Sequence, residues 1–249
     1  MTGKVYIVGA GPGAADLLTL RAASVLRMGE VVLHDDLVSQ EILDLVPGGV
    51  YVVNVGKRCG RHGNSQAQIN ALMVEHARDG KRVVRLKSGD PAVFGRLGEE
   101  LEALREAEIP FEIVPGITAA AAAAASASIT LTDRRAASAL VLLTAHKCGN
   151  APLSLPAVDP ENATFAVYMP GPNYGRSAQD LIEIGLRPET PCALVSHAGR
   201  TTEQVRTATL GSLQSVTDVP APAVLIVGEV ARAGVSATAI PPVEHSSVL

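Results

Sequence analysis

Ten short apolar runs, separated by helical or turn-forming segments, constrain this chain of 249 residues more than any other feature. Five fall at 5–8, 31–33, 51–55, 83–86 and 111–114, and five more at 140–143, 165–169, 193–196, 205–210 and 224–227. Apolar runs this short read as strands, and strands that alternate with helical stretches build an α/β sheet. The alternation stops at Pro115-Gly116 and restarts, which predicts two α/β domains over 1–116 and 117–240, then a tail at 241–249 whose last residues, 244–249, fray. A hydrophobic content of 47% supplies the material for sizeable cores.

Local signals sharpen the helices. The Ser65 hydroxyl can cap free backbone N–H groups, Gln68 completes an S-x-x-Q capping box, and Gly80 supplies a left-handed stop. The helix between them carries Ile69, Leu72, Met73 and Ala77 on one face. The alanine run at 119–125 predicts a packed helix, since alanine is the best helix former and its small side chain permits close approach to a sheet or a ligand. Residues 147–162, rich in Pro, Gly and Asn, predict a surface loop.

Charge and composition narrow the partners. A formal net charge of -4 and a pI of about 5.9 argue against nucleic acid, whose phosphates need clustered Lys and Arg. An aromatic content of 3% leaves few platforms for stacking bases. Cys59, Cys148 and Cys192 are odd in number and show no CxxC spacing, so neither a disulfide framework nor a structural zinc site is expected. His146 and Cys148 alone are too few to hold a metal. A reduced, cytoplasmic setting follows from the cysteine usage. The first strand begins by Val5 without a basic leader, and no apolar span reaches the roughly 18 residues of a membrane helix, so neither secretion nor membrane insertion is expected.

Three segments carry chemistry. Gly9-Ala10-Gly11-Pro12-Gly13-Ala14 fits the relaxed G-x-G-x-x-A dinucleotide fingerprint, and Asp35 and Asp36 end the second strand where an NAD ribose acceptor would sit. Against that reading stands Pro12, because pyrophosphate is bound by backbone N–H groups of such a turn and proline removes one. In Ser88-Gly89-Asp90-Pro91, glycine permits unusual backbone angles, Asp90 accepts hydrogen bonds and proline stiffens the exit. The loop Gly56-Lys57-Arg58-Cys59-Gly60-Arg61-His62-Gly63 gathers three permanent cations and a histidine, a composition suited to an acidic substrate. Each also has a bland reading: a tight turn, an Asp-capped turn and a solvated basic loop.

Together and in this order, the segments resemble the tetrapyrrole methylases, and within them the uroporphyrinogen-III C-methyltransferases, over residues 5–230. His34-Asp35-Asp36-Leu37-Val38 is similar to the family's Tyr-Asp-x-Leu-Val, Val55-Gly56-Lys57-Arg58 to its Val-Gly-Lys-Arg, and Gln66-Ala67-Gln68-Ile69-Asn70 to its Gln-x-x-Ile-Asn. Leu131-Thr132-Asp133-Arg134 resembles its Leu-Thr-His-Arg, Tyr168-Met169 its Tyr-Met, and Pro222-Ala223 and Val227-Gly228-Glu229-Val230 its closing motifs. The chain departs from the pattern at Asp36, at Ser88 in place of glycine, at Ala92 in place of Phe, at Asp133 in place of His and at Pro170 in place of Gly.

The resemblance implies two α/β domains of the tetrapyrrole methylase type with the active site in the cleft between them, in a homodimer. It implies S-adenosylmethionine as methyl donor, S-adenosylhomocysteine as product, no metal, and two C-methylations of uroporphyrinogen III giving precorrin-2 for sirohaem or cobalamin-type synthesis. Carried over by motif, Pro12, Ser88, Gly89, Asp90, Val93, Thr118, Ala119, Met169, Ala198 and Ala223 line the donor site. Asp35 is the proton acceptor and Lys57 the proton donor, with Arg96 and Glu99 as rivals for proton handling. Arg58, Arg61, His62 and Arg134 meet the substrate's carboxylates. Alternatives are a methylase of a later corrin intermediate, a binding protein without turnover, and, from the first loop alone, an NAD-dependent oxidoreductase.

Overall fold

The computed structural model describes residues 2–56, 64–145 and 158–233. The chain divides into two compact units, Met1–Ala119 and Ala120–Leu249, each with its own five-stranded sheet. Lys57, Arg58, Arg61, His62, Cys59, His146, Cys148, most of the loop expected at 147–162 and the tail lie outside the described residues.

In the first unit β1 (Lys4–Gly9), β2 (Val31–His34), β3 (Tyr51–Asn54), β4 (Arg82–Lys87) and β5 (Phe111–Val114) are all parallel, in the order β3-β2-β4-β1-β5. Helices cover both faces, as parallel sheets require. On one face α1 (Leu20–Met28) and the short α2 (Gln40–Leu43) bring Ala22, Val25, Leu26 and Ile42 against Val8, Val32, Val84 and Leu86. On the other, α3 (Gln66–Arg78) and α4 (Leu97–Glu106) bring Ile69, Met73, Ala77 and Leu104 against Val5, Ile7, Leu33 and Val83. α3 starts and stops where its caps dictate: Ser65 Oγ accepts from Gln68 N–H at 3.2 Å, Ser65 N–H donates to Gln68 Oε1 at 2.6 Å, and Gly80 sits at φ 81°. Leu72 completes the expected face, packed at the margin of the same core.

The second unit pairs β6 (Ala139–Thr144), β7 (Ala163–Tyr168), β8 (Pro191–Ser196), β9 (Gln204–Thr209) and β10 (Ala223–Val227) in the order β6-β7-β10-β8-β9. Only β6 and β7 run parallel; the other neighbours are antiparallel. Apolar runs reveal where strands are but not their direction, so the mixed character of this sheet emerges only from the pairing. Its core gathers Phe165, Leu181, Leu194 and Leu225, with Leu181 contributed by α6 (Tyr174–Glu183). The alanine run forms α5 (Ala119–Ser126), whose Ala120, Ala122, Ala123 and Ala124 are buried. Met169, expected to end a strand, lies just past β7 at φ 50° and is half exposed.

Candidate functional site

β1 leaves its C-terminal end toward α1 on one face, while its neighbour β4 leaves toward α4 on the other. Such divergence opens a crevice at the C-terminal edge of a parallel sheet, where ligands of open α/β sheets bind. The first unit's sequence-predicted residues converge on this edge: Pro12 follows β1, Asp35 follows β2, Ser88, Gly89, Asp90 and Val93 follow β4, and Thr118 and Ala119 follow β5. Three glycines bring the loops into backbone contact. A Cβ on Gly9 would lie 2.6 Å from Gly116 N and 2.7 Å from Gly89 O, and one on Gly116 would lie 2.4 Å from Gly89 O. Gly11 and Gly89 exchange backbone hydrogen bonds of 3.1 and 2.7 Å. Gly89, at φ 68°, has only Ala119 N, at 3.9 Å, near its missing Cβ, so a ligand can reach bare backbone there.

Asp90 bolts this crest together. Its Oδ1 accepts from Ala92 N–H at 2.8 Å and its Oδ2 from Gly116 N–H at 3.0 Å, joining the loops after β4 and β5. The loop after β1 is ill-suited to phosphate. Pro12 offers no N–H, and the helix that follows is a single 3-10 turn, Ala15–Leu17, whose Ala15 N–H already donates to Glu41 Oε1 at 3.0 Å. A carboxylate thus occupies the place a pyrophosphate would need.

Asp35 sits at the same edge, 30% exposed, and is held from below. Its Oδ1 accepts from Arg85 Nη2, and its backbone N–H donates to Leu86 O at 3.0 Å. Arg85, on β4, is 2% exposed; its Nε donates to Glu100 Oε1 at 2.9 Å and its Nη1 to Leu33 O and Leu86 O, both at 3.3 Å. Lys87 Nζ donates to the same Glu100 oxygen at 2.9 Å, and Gln66 Nε2 reaches it at 3.4 Å. Burial holds the Lys87 ammonium below its ordinary pKa, and nearby Arg85 adds to the effect against the opposing pull of Glu100. Burial also works to lower Arg85, but Asp35 and Glu100 outweigh it and raise the guanidinium.

Arg96 and Glu99 form a bidentate pair of 2.8 and 2.6 Å, both half exposed, with Arg96 in the left-handed region at φ 54°. Asp36, one of the departures from the family pattern, accepts from Asn54 Nδ2 at 3.2 Å, and so ties the loop after β2 to the end of β3.

In the second unit Met169, Ala198 and Ala223 gather at one edge of the sheet. Ala223 pairs with Ser196, Val224 pairs with Tyr168, and Met169 and Ala198 follow directly on those strands. Ala120 N–H donates to Tyr168 Oη at 3.1 Å, which sets the start of α5 at that edge. His197 clips the neighbouring loops together: its Nδ1 lies 2.8 Å from Thr202 Oγ1 and its Nε2 2.8 Å from Ala221 O. Arg134 stands apart from this row, exposed in a turn closed by backbone bonds between Asp133 and Ala137.

Sequence reasoning did not single out Glu100, Glu41, Tyr168 Oη or His197. One signal was available. Arg85 and Lys87 alternate with Val84 and Leu86 on a central strand, so two cations must share a buried face with a carboxylate.

Residues 4–214 match the model of the family Tetrapyrrole (Corrin/Porphyrin) Methylases. The chain is 45% identical over 233 residues to siroheme synthase 1 of Klebsiella pneumoniae, a match covering 93% of this chain and 50% of that protein. It therefore spans about half the length of such relatives. The crystal structure of uroporphyrin-III-C-methyltransferase from Thermus thermophilus matches with a TM-score of 0.79 and 40% identity, over 93% of this chain and 95% of that one. A structure of the Thermus thermophilus enzyme complexed with S-adenyl homocysteine matches with a TM-score of 0.79 and 37% identity, over 92% and 94%. Its two α/β units have the fold of these methylases, and, matched over most of its length, the chain belongs to the tetrapyrrole methylase family.

Proposed function

We propose that this chain methylates uroporphyrinogen III at carbon twice, giving precorrin-2, with S-adenosylmethionine as donor. The carrying observation is the glycine crest of the first unit, where Gly9, Gly89 and Gly116 meet backbone to backbone and Asp90 fastens two of the three loops. It fits a donor without phosphate: bare backbone is accessible at Gly89, and the phosphate position of the first loop is taken by Glu41. Bound there, the sulfonium supplies an electrophilic methyl group. In the first unit Pro12, Ser88, Gly89, Asp90, Val93, Thr118 and Ala119 are the donor-holding residues on this reading; in the second, Met169, Ala198 and Ala223 are proposed on the family motif.

The remaining work falls to orientation, charge and a proton. A pyrrole carbon activated by its ring nitrogen is already nucleophilic, so alignment supplies much of the rate. Arg58, Arg61, His62 and Arg134 are proposed to meet the substrate's carboxylates, for which guanidinium forks are suited. Asp35 accepts the one proton lost as each methylated macrocycle returns to neutrality, while Lys57, the donor by family motif, relocates a proton on the macrocycle without changing that balance; the partly exposed placement of Asp35 supports its part. Arg96 is proposed to assist at the same edge, steadied by Glu99. The cysteine usage, including a buried Cys192 thiol pushed up to about 12 by burial, and the family resemblance favour a cytoplasmic homodimer.

Calorimetric titration with S-adenosylhomocysteine and with NADH tests the donor reading. Saturable binding of the first and none of the second is expected; the reverse would replace the methyltransferase reading with the dinucleotide one.

A further inference from the structure

Beneath Asp35 lies a buried ion network with no counterpart in the roles assigned so far. Asp35 and Glu100 are matched by Arg85 and Lys87, and the last three side chains are 0%, 2% and 3% exposed respectively. Glu100 holds both cations on Oε1, while its Oε2 is buried without a hydrogen-bond partner among the described residues. Such an arrangement is a poor way to stabilise a fold. Replacing a buried ion network with apolar residues of similar volume is often neutral or stabilising.

Its geometry does something else. Every nitrogen of the Arg85 guanidinium is engaged: Nε with Glu100 on α4, Nη1 with Leu33 O on β2 and Leu86 O on β4, and Nη2 with Asp35. The first three contacts come from three different elements and fix the plane of the fork, so the direction in which Nη2 presents itself is set by the sheet and α4. Asp35 is meanwhile tethered through its own N–H to Leu86 O. Among the described residues the Asp35 carboxylate is held by Oδ1 alone, in a side chain that is 30% exposed. One oxygen is locked, and no hydrogen bond holds the other among the described residues.

We propose that Arg85 is a positioning residue for methyl transfer, fixing the Asp35 carboxylate in the orientation that accepts the substrate proton, with Glu100 and Lys87 fixing Arg85 in turn. This rests on the reading of Asp35 as proton acceptor. No bond of the reaction passes through Arg85; its effect is exerted on the angle and position of another group.

The test is a double-mutant cycle. Arg85→Gln is made in the native chain and in an Asp35→Asn background, kcat and KM for uroporphyrinogen III are measured for each, and S-adenosylhomocysteine calorimetry reports the integrity of the fold. In the native background Arg85→Gln is expected to lower kcat roughly a hundredfold, the scale of a 1 Å misplacement, with KM and donor affinity little changed. In the Asp35→Asn background the same change is expected to have no further effect on kcat, since effects through one group are not additive. Equal losses in both backgrounds, or a loss confined to KM, would overturn the positioning role. Full kcat in Asp35→Asn alone would instead remove the proton-acceptor reading, and this proposal with it. Removal of a buried cation opposite Glu100 can unfold the chain, so if Arg85→Gln does not bind the donor product, Arg85→Lys, which keeps the charge but loses the fork, decides by the same cycle with an intermediate kcat expected.

Discussion

At the level of single residues, what each charge faces sets its behaviour. The Asp133 carboxyl, hydrogen-bonded first by the Arg135 side chain and then by its backbone N–H, is lowered to about 2. Its folded pKa lies below the unfolded value of about 3.9, so its contribution is present above the unfolded value and is lost as pH falls through about 2. A carboxyl NMR titration is expected to find that midpoint in the native chain and to find it higher in Arg135→Ala; an unchanged midpoint would deny the pairing. Lys87 has the same sign for a different reason, burial disfavouring its charged form. With its folded pKa held below about 10.4, the unfolded chain binds more protons between the two values, so stability rises with pH across that window. Denaturant titrations at alkaline pH should show this slope in the native chain and its loss in Lys87→Met. Asp35, Gly89 and Asp90 could be picked out as candidates in the sequence because each stands in a motif. The partners of Asp35 were not, because the meeting of Arg85 with Glu100 depends on how α4 packs against β4, which no local pattern states.

At the scale of the element, termini and crossings carry the information. The capping box of α3 was read directly from Ser65 and Gln68, and Ser65→Ala is expected to cost about 1 kcal/mol in urea unfolding. The glycine crest was half legible: each glycine marked a turn, but only the parallel register of β4-β1-β5 brings Gly9, Gly89 and Gly116 into one stack. Gly116→Ala would place its Cβ 2.4 Å from Gly89 O and 2.8 Å from Gly9 Cα. The loops must separate, so this change should destabilise by about 1–3 kcal/mol and weaken S-adenosylhomocysteine binding. Gly48→Ala, where nothing lies within 4 Å of the added carbon, should do neither. Equal behaviour of the two variants in calorimetry and urea unfolding would contradict the crest as a ligand-holding surface.

At the scale of the whole molecule, the strand sequence announced ten strands and an α/β class, and all ten form. Strand direction was hidden. The first sheet is wholly parallel because helices α1 to α4 cross between its strands, whereas β8 turns straight into β9 and the second sheet becomes mixed. The family was legible from the joint order of motifs more than from any single loop, since the first glycine loop on its own equally suggested a dinucleotide. The most direct measurement is an anaerobic assay of the purified chain with S-adenosylmethionine and enzymatically generated uroporphyrinogen III, with products followed by mass. The expected product carries two added methyl groups, and Asp35→Asn is expected to lower kcat while leaving a measurable residual rate. Donor binding without any methyl transfer to uroporphyrinogen III would contradict the proposed function.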